Sequence, residues 1–193
     1  MQEIIRFHCY DTALGTCGIA WTERGIAGSQ LPEESAAATR DRMRVRFPSA
    51  LEVTDPPELP ASVRNACDGV RALLKGEVRD LLEIELDDRE LADFDREVLG
   101  LTRQIPVGRT LTYGEIAMRL GQPGAARAVG RVEGSNPFAP IVPCHRVMGM
   151  ARPGKAANLT GFSAPGGVET KLRLLAIEAR ATGQQVGQQQ ELF

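Results

Sequence analysis

Cys144 and His145 stand side by side in the run Pro143-Cys144-His145-Arg146-Val147, directly after the apolar pair Ile141-Val142. The thiolate, not the thiol, is the nucleophile, and a neighbouring imidazole or guanidinium lowers a thiol pKa from its free value of about 8.5. A short extended segment leading into the run would present such a thiolate at its end. Taken alone, the dipeptide also suits a buried structural cysteine beside a turn histidine, because a nucleophile and its base need a third group to orient them. The preceding segment shifts the balance.

Residues 110–137 read as a helix, a turn and a second helix. Thr112 is placed to cap the first, with Glu115 three residues on to complete a capping box, and Tyr113, Ile116, Ala117 and Leu120 recur at helical spacing. Gly121-Gln122-Pro123-Gly124 breaks that helix. The second runs from about Ala125 to Glu133 and stops at Gly134-Ser135-Asn136-Pro137. Its residues are small (Ala125, Ala126, Ala128, Val129, Gly130), and one long cation, Arg127, stands among them. A helix stripped of bulk can approach another surface closely, and a helix-turn-helix is a common way to seat a helix on DNA. A tightly packed hairpin without a partner would read the same way. Glu133, near the end of that helix, would repel phosphate if it faced DNA.

Charge is divided along the chain. Residues 1–100 hold 12 Lys and Arg against 20 Asp and Glu, whereas residues 101–155 hold 8 against 2. The positive block carries both the helix pair and the cysteine, as a DNA-facing half would, although the whole chain has a net charge of −2.

Tyr113-Gly114-Glu115-Ile116-Ala117, Arg127-Ala128-Val129-Gly130, Asn136-Pro137 and Pro143-Cys144-His145-Arg146-Val147, in this order and spacing, resemble the O6-alkylguanine-DNA alkyltransferase family. The resemblance continues through Leu159-Thr160-Gly161-Phe162, Gly166-Gly167, Lys171, Leu174-Leu175 and Glu178. It spans residues 94–178 closely and the N-terminal half only in outline. It implies direct repair of double-stranded DNA: the alkylated nucleotide leaves the stack, and Cys144 takes the alkyl group irreversibly from O6-alkylguanine, and from O4-alkylthymine, without a cofactor. By the same resemblance His145 takes the thiol proton through a water and Glu178 orients the imidazole. Tyr113 donates to the leaving base, and Asn136 ties the turn above the cysteine. Arg127 is the finger that replaces the extruded base. Thr112, Ala125, Ala126, Ala128 and Gly130 line the DNA face. Pro143, the backbone of Val147, Phe162 and Ser163 form the base pocket. Phe162 stands where many relatives have tyrosine, which removes one hydrogen bond to the base. The loop 148–163 is long and carries Arg152, Pro153, Gly154 and Lys155.

The implied fold is an α/β N-terminal domain, ribonuclease-H-like with three strands, joined to a mainly α C-terminal domain holding the helix-turn-helix. The expected boundaries are 1–88, 89–180 and a flexible tail at 181–193. Pattern supports strands at 4–10, 16–21, 25–29 and, in an acidic segment, 82–86. It supports helices at 34–47, with arginines outward, at 62–74 and at 93–104, where Phe94, Val98, Leu99 and Leu101 face inward. Residues 48–60 carry four prolines and read as a connection. At 193 residues and 42% hydrophobic composition the chain can bury one sizeable core or two small ones.

No apolar run reaches the length of a membrane span, and the start lacks the basic and apolar regions of a signal peptide. Four scattered cysteines (Cys9, Cys17, Cys67, Cys144) suit a reducing cytoplasm. His8, Cys9 and Cys17 lack metal-site spacing, so no metal is expected. Two other functions compete with repair: a sensor that binds alkylated DNA, whose known forms lack the cysteine, and a thiol hydrolase, which has no use for an arginine-bearing small-residue helix. At the far end, Gln189-Gln190-Glu191-Leu192-Phe193 follows a polar stretch and resembles the pentapeptide by which bacterial polymerases and repair proteins bind the sliding clamp. In that reading Leu192 and Phe193 supply burial and Gln189 orientation.

Overall fold

The computed structural model describes residues 3–150 and 165–184. β1 (Arg6–Thr12) and β2 (Gly15–Trp21) form an antiparallel hairpin, Arg6 opposite Trp21 and Thr12 opposite Gly15. β3 (Ile26–Gln30) adds to β2, and β4 (Leu51–Glu52) pairs in parallel with β1, giving the order β3-β2-β1-β4. The sheet therefore has four strands where three were expected. Pairing of only two residues with a distant strand leaves little local pattern, which hides β4 in the proline-rich connection.

Strand alternation sorts the two faces. Cys17, Ile19 and Trp21 of β2 meet α2 (Ala61–Lys75), whose Val63, Ala66, Cys67, Val70, Leu73 and Leu74 repeat at helical spacing. On the other face Phe7 and Ala20 pack on Met43 of α1 (Ala36–Arg46), which Ser35 caps. Here Gly18 and Gly28 are required by close approach. A Cβ on them would stand 2.6 Å from Met43 and 2.6 Å from Phe47, respectively.

The expected strand at 82–86 does not form; Leu86 makes only an isolated parallel bridge with Ile26. Leu81 adopts a positive φ of 57°, and the carbonyls of Leu81, Leu82 and Ile84 turn toward the Arg103 guanidinium. One guanidinium nitrogen, Nη2, collects the acceptors that a strand would have offered to a neighbour.

α3 (Asp93–Arg103), α4 (Tyr113–Arg119) and α5 (Ala126–Gly134) enclose a second core. Val98 and Leu99 of α3 are fully buried there, with Phe94 and Leu101 packed beside them. The expected capping box is present: Thr112 Oγ1 accepts from Glu115 N, and Glu115 returns a carboxylate oxygen to Thr112 N at 2.6 Å. A two-residue parallel pair, β5 (Leu111–Thr112) with β6 (Val147–Met148), fastens the start of α4 to the chain just past the cysteine. α6 (Val168–Ala181) buries Lys171, Leu174, Leu175, Glu178 and Ala179 along one face, Leu174 entering the core under the sheet. Among the described residues, no helix is long and apolar enough to cross a membrane.

Candidate active site

The chain reaches Cys144 through turns, not the extended segment expected: Val142 N donates to Phe138 O at 3.0 Å and Cys144 N to Val142 O at 2.9 Å. Cys144–Arg146 then make one 3-10 turn, closed by Arg146 N to Pro143 O at 2.8 Å. Asn136 holds the approach from above, donating Nδ2 to Val142 O at 2.8 Å and accepting from Phe138 N at 2.9 Å. The N-terminal sheet grips the same segment. Ser29 donates its N–H to Pro137 O at 2.8 Å and its hydroxyl to Ala139 O at 2.7 Å. Arg46 bonds Ser29 O, Gln30 Oε1 and Pro137 O at 2.8–3.0 Å. Arg46 is thus not one of the outward arginines expected of its helix. Burial lowers its pKa, and its fork ties α1 and β3 to the segment before the cysteine. A groove of about 810 Å³ opens along this seam, with Cys144, Asn136, Arg42 and Arg46 in its walls.

Helical spacing on α6 brings Glu178 and Lys171, seven residues apart, to the back of the cysteine turn. His145 Nε2 lies 2.7 Å from Glu178 Oε1. Arg146 Nε lies 3.0 Å from both carboxylate oxygens and Nη2 2.9 Å from Oε1. Burial opposes the charge on Glu178, yet His145 and Arg146 together hold its carboxyl down to about 2. An ionised Glu178 accepts the proton on Nε2, which leaves the lone pair on His145 Nδ1. That nitrogen is buried and has no hydrogen-bond partner among the described residues. Burial also lowers the histidine pKa, which keeps the imidazole neutral and leaves its Nδ1 lone pair unprotonated.

Cys144 itself departs from expectation. Burial first, and the charge of Glu133 second, push its thiol up to about 12, against favourable effects of Asn136 and Lys171. The Arg146 guanidinium is committed to Glu178 and the imidazole is neutral, so neither supplies the cation that would stabilise a thiolate. The site rests as thiol and base.

Tyr113, the first residue of α4, is half-buried; burial, with the charges of Glu133 and Cys144, raises its phenol to about 12 and keeps it a proton donor. A Cβ at Gly130 would lie 4.0 Å from its ring, so the bare helix face of α5 covers the tyrosine. Arg127 is exposed on α5, with Ala125, Ala126 and Ala128 half-buried around it. Thr112 is occupied as the helix cap. Pro143 and Val147 are buried; Val147 N donates to Cys144 O and its carbonyl accepts from Lys171 Nζ at 2.6 Å, so both backbone groups of Val147 already have partners, one in the turn and one on α6. Phe162 and Ser163, most of the long loop, and Gln189, Leu192 and Phe193 lie outside the described residues. Glu133, an acid that would repel phosphate if it faced DNA, is turned inward: it is 2% exposed and accepts a hydrogen bond from Thr102 Oγ1.

Residues 93–180 match the family model described as 6-O-methylguanine DNA methyltransferase, DNA binding domain. The methylated-DNA–protein-cysteine methyltransferase of Mycolicibacterium paratuberculosis is 46% identical over 123 residues, covering 64% of this chain and 69% of that protein. The chain belongs to the methylated-DNA–protein-cysteine methyltransferase family. The protein of the same name from Salmonella typhimurium is 48% identical over 85 residues, 44% of this chain and 46% of its own. The fold agrees along nearly the whole length. The O6-methylguanine methyltransferase of Mycobacterium tuberculosis superposes with a TM-score of 0.67 at 31% identity, over 92% of this chain and 94% of that one. A structure of the Mycobacterium tuberculosis protein in complex with DNA gives 0.66 at 31%, over 91% and 94%.

Four side chains of the site had no role assigned from sequence: Arg146, Lys171, Arg46 and Glu133. For Glu133 a signal was available, since Val129, Val132 and Glu133 fall at helical spacing and share the buried face of α5. For Lys171 and Glu178 the seven-residue interval carried the same message. Arg46 offered none, because its partner Pro137 lies 91 residues away.

Proposed function

We propose that the chain repairs DNA directly by moving the alkyl group of O6-alkylguanine, and of O4-alkylthymine, to Sγ of Cys144, once per molecule. The observation that carries this reading is the buried relay beside a solvent-open groove: a neutral cysteine, a histidine with one free basic nitrogen, and a carboxylate that fixes the other. The thiol proton passes through a water to His145 Nδ1, and the imidazolium formed is stabilised by Glu178. The sulfur lone pair forms the new S–C bond as the bond from that carbon to the base oxygen breaks. The electron pair stays on the base, and the Tyr113 phenol supplies a proton to it. The product thioether has no easily cleaved bond, so the protein is consumed and no cofactor is called for.

The target carbon is inaccessible in a stacked duplex, so the nucleotide must be extruded into the groove. α5 is suited to opening the stack, because its small residues permit a close minor-groove approach and Arg127 projects from them to fill the gap left behind. The N-terminal sheet, with its hairpin, third strand and parallel fourth, we read as a ribonuclease-H-like frame for the cysteine turn, and the boundaries of the two domains as 1–88 and 89–180. Cysteines that are free rather than disulfide-bonded support work in a reducing cytoplasm.

Cys144→Ala tests the assignment. Repair of a methylated duplex should vanish while the variant still binds the same duplex in a titration. Continued loss of methyl from the oligonucleotide would overturn it.

A further inference from the structure

His145 carries a positive charge during the transfer, yet it is fully buried. Arg146 on its own turn and Lys171 on α6 oppose that charge, and Glu178 on α6 favours it. Glu178 has to serve two neighbours at once. Its Oε1 meets His145 Nε2 at 2.7 Å, Arg146 Nη2 at 2.9 Å and Arg146 Nε at 3.0 Å, and its Oε2 meets Arg146 Nε at 3.0 Å. A carboxylate shared in this way is partly neutralised by the guanidinium before any proton arrives on the imidazole.

A second carboxylate reaches the guanidinium from its other end. Asp80 lies in the stretch between α2 and α3, and its Oδ1 stands 3.5 Å from Arg146 Nη1, the nitrogen that also donates to Ile105 O. The same Oδ1 accepts from Val107 N at 2.8 Å, in the loop whose Gly108 N reaches Glu178 Oε2 at 3.3 Å. The chain beyond Asp80 is fixed: Leu81 is buried in the left-handed region, uncommon for a leucine, and Arg103 binds the carbonyls that follow. The Asp80 side chain is 38% exposed, so water screens it in part, whereas that of Arg146 is 1% exposed. Contacts of 2.7 to 3.5 Å therefore run from Asp80 through Arg146 and Glu178 to His145.

Asp80, Arg146 and Glu178 together hold one net negative charge at rest, which the imidazolium cancels. Without Asp80 the same line starts neutral and ends with an uncompensated buried cation. We propose that Asp80 is a positioning residue of the relay: its carboxylate holds the far end of Arg146 and leaves Glu178 free to stabilise the imidazolium that forms when His145 accepts the thiol proton. Asp80 touches no reacting atom and acts through Arg146. The inference rests on Cys144 being the alkyl acceptor.

Two states of Cys144 react with an electrophile, and they differ in their protons. Thiolate beside imidazolium holds as many protons as thiol beside imidazole, so its share is level with pH. Thiolate beside neutral imidazole has lost one proton to solvent, so its share climbs about tenfold per pH unit at alkaline pH. Removing the charge of Asp80 disfavours the first state and not the second. Asp80→Asn does so while keeping a side-chain acceptor for Val107 N.

The test is alkylation of Cys144 by iodoacetamide from about pH 6 to 10, located by peptide mapping, beside single-turnover methyl transfer from a saturating methylated duplex. Asp80→Asn should lose about fivefold in the level region and in methyl transfer, the size expected of a half-exposed charge. Its alkaline limb and its affinity for the duplex should match those of the native protein. An equal loss across the whole profile would make Asp80 a support for the 105–109 loop, and an unchanged profile would remove it from the relay. Either result overturns the proposal. Iodoacetamide separates this failure from failure of the repair reading, since it reports on the relay whether or not DNA is a substrate.

Discussion

At Glu178, three residues meet on one carboxylate. It orients His145 and neutralises the buried Arg146, so one substitution must show in both chemistry and stability. Glu178→Gln leaves a guanidinium buried against a neutral amide, a loss of about 3–5 kcal/mol in the manner of broken buried pairs. It also weakens the imidazolium that forms during transfer, so methyl transfer measured in a single turnover should slow at least tenfold. The pH dependence has a defined sign. Glu178 is held near 2 against an ordinary 4.5, so its contribution to stability is complete above 4.5 and is lost as pH falls from 4.5 through 2. Thermal melts across that window should fall steeply for the native protein and less for Glu178→Gln. Equal slopes would deny Glu178 its part in holding the fold together. Legibility at this scale is uneven. Cys144, His145, Glu178, Tyr113 and Asn136 are named by motif and resemblance, and the structure brings them to one site. The protonation state of the thiol is not legible, because a sequence shows which cations are adjacent but not that Arg146 is already engaged elsewhere.

Between elements, the division of labour follows from which face each helix buries. α6 supplies the relay from one face. α4 presents Tyr113 at its first turn because β5 pairs with β6 just beyond the cysteine. α5 turns Val129, Val132 and Glu133 inward and leaves Arg127 and Arg131 exposed. Arg127→Ala should therefore impair transfer from duplex DNA far more, by at least tenfold, than reaction with free O6-benzylguanine, for which no stack has to open. Comparable losses on both substrates, measured as second-order rate constants, would assign Arg127 to pocket shape instead. The helices are legible because caps and periodicity are local: the box of Thr112 and Glu115 marks α4, and α3 ends within a residue of its expected bounds. The two parallel strand pairs, β1 with β4 and β5 with β6, are not, since each joins only two residues across a long stretch of chain. The false strand at 82–86 has the right alternation and is undone by Arg103, a partner outside its own pattern.

For the molecule as a whole, the N-terminal half is more than a companion fold. Ser29 and Arg46 hold the Asn136–Ala139 segment from the sheet side, which explains how a domain without transfer residues of its own can set the position of Cys144. The charge division acquires a direction as well. Among the described cations of the basic block, Arg146 and Arg103 are engaged inside the protein, while Arg109, Arg119, Arg127 and Arg131 are exposed. The terminal residues add one test at this scale. Removing Leu192 and Phe193 should abolish any binding to the bacterial sliding clamp in a titration and leave methyl transfer to a short oligonucleotide unchanged. An intact chain that shows no binding at tens of micromolar would retire that partner.

The central claim, that Cys144 is the final acceptor of the alkyl group, is tested most directly by mass spectrometry of the protein after incubation with excess O6-methylguanine duplex. The expected result is a gain of one methyl per molecule, located by peptide mapping on Cys144, together with an equal amount of unmodified guanine in the DNA. A methyl found elsewhere, more than one turnover per molecule, or repaired DNA with an unmodified protein would contradict it.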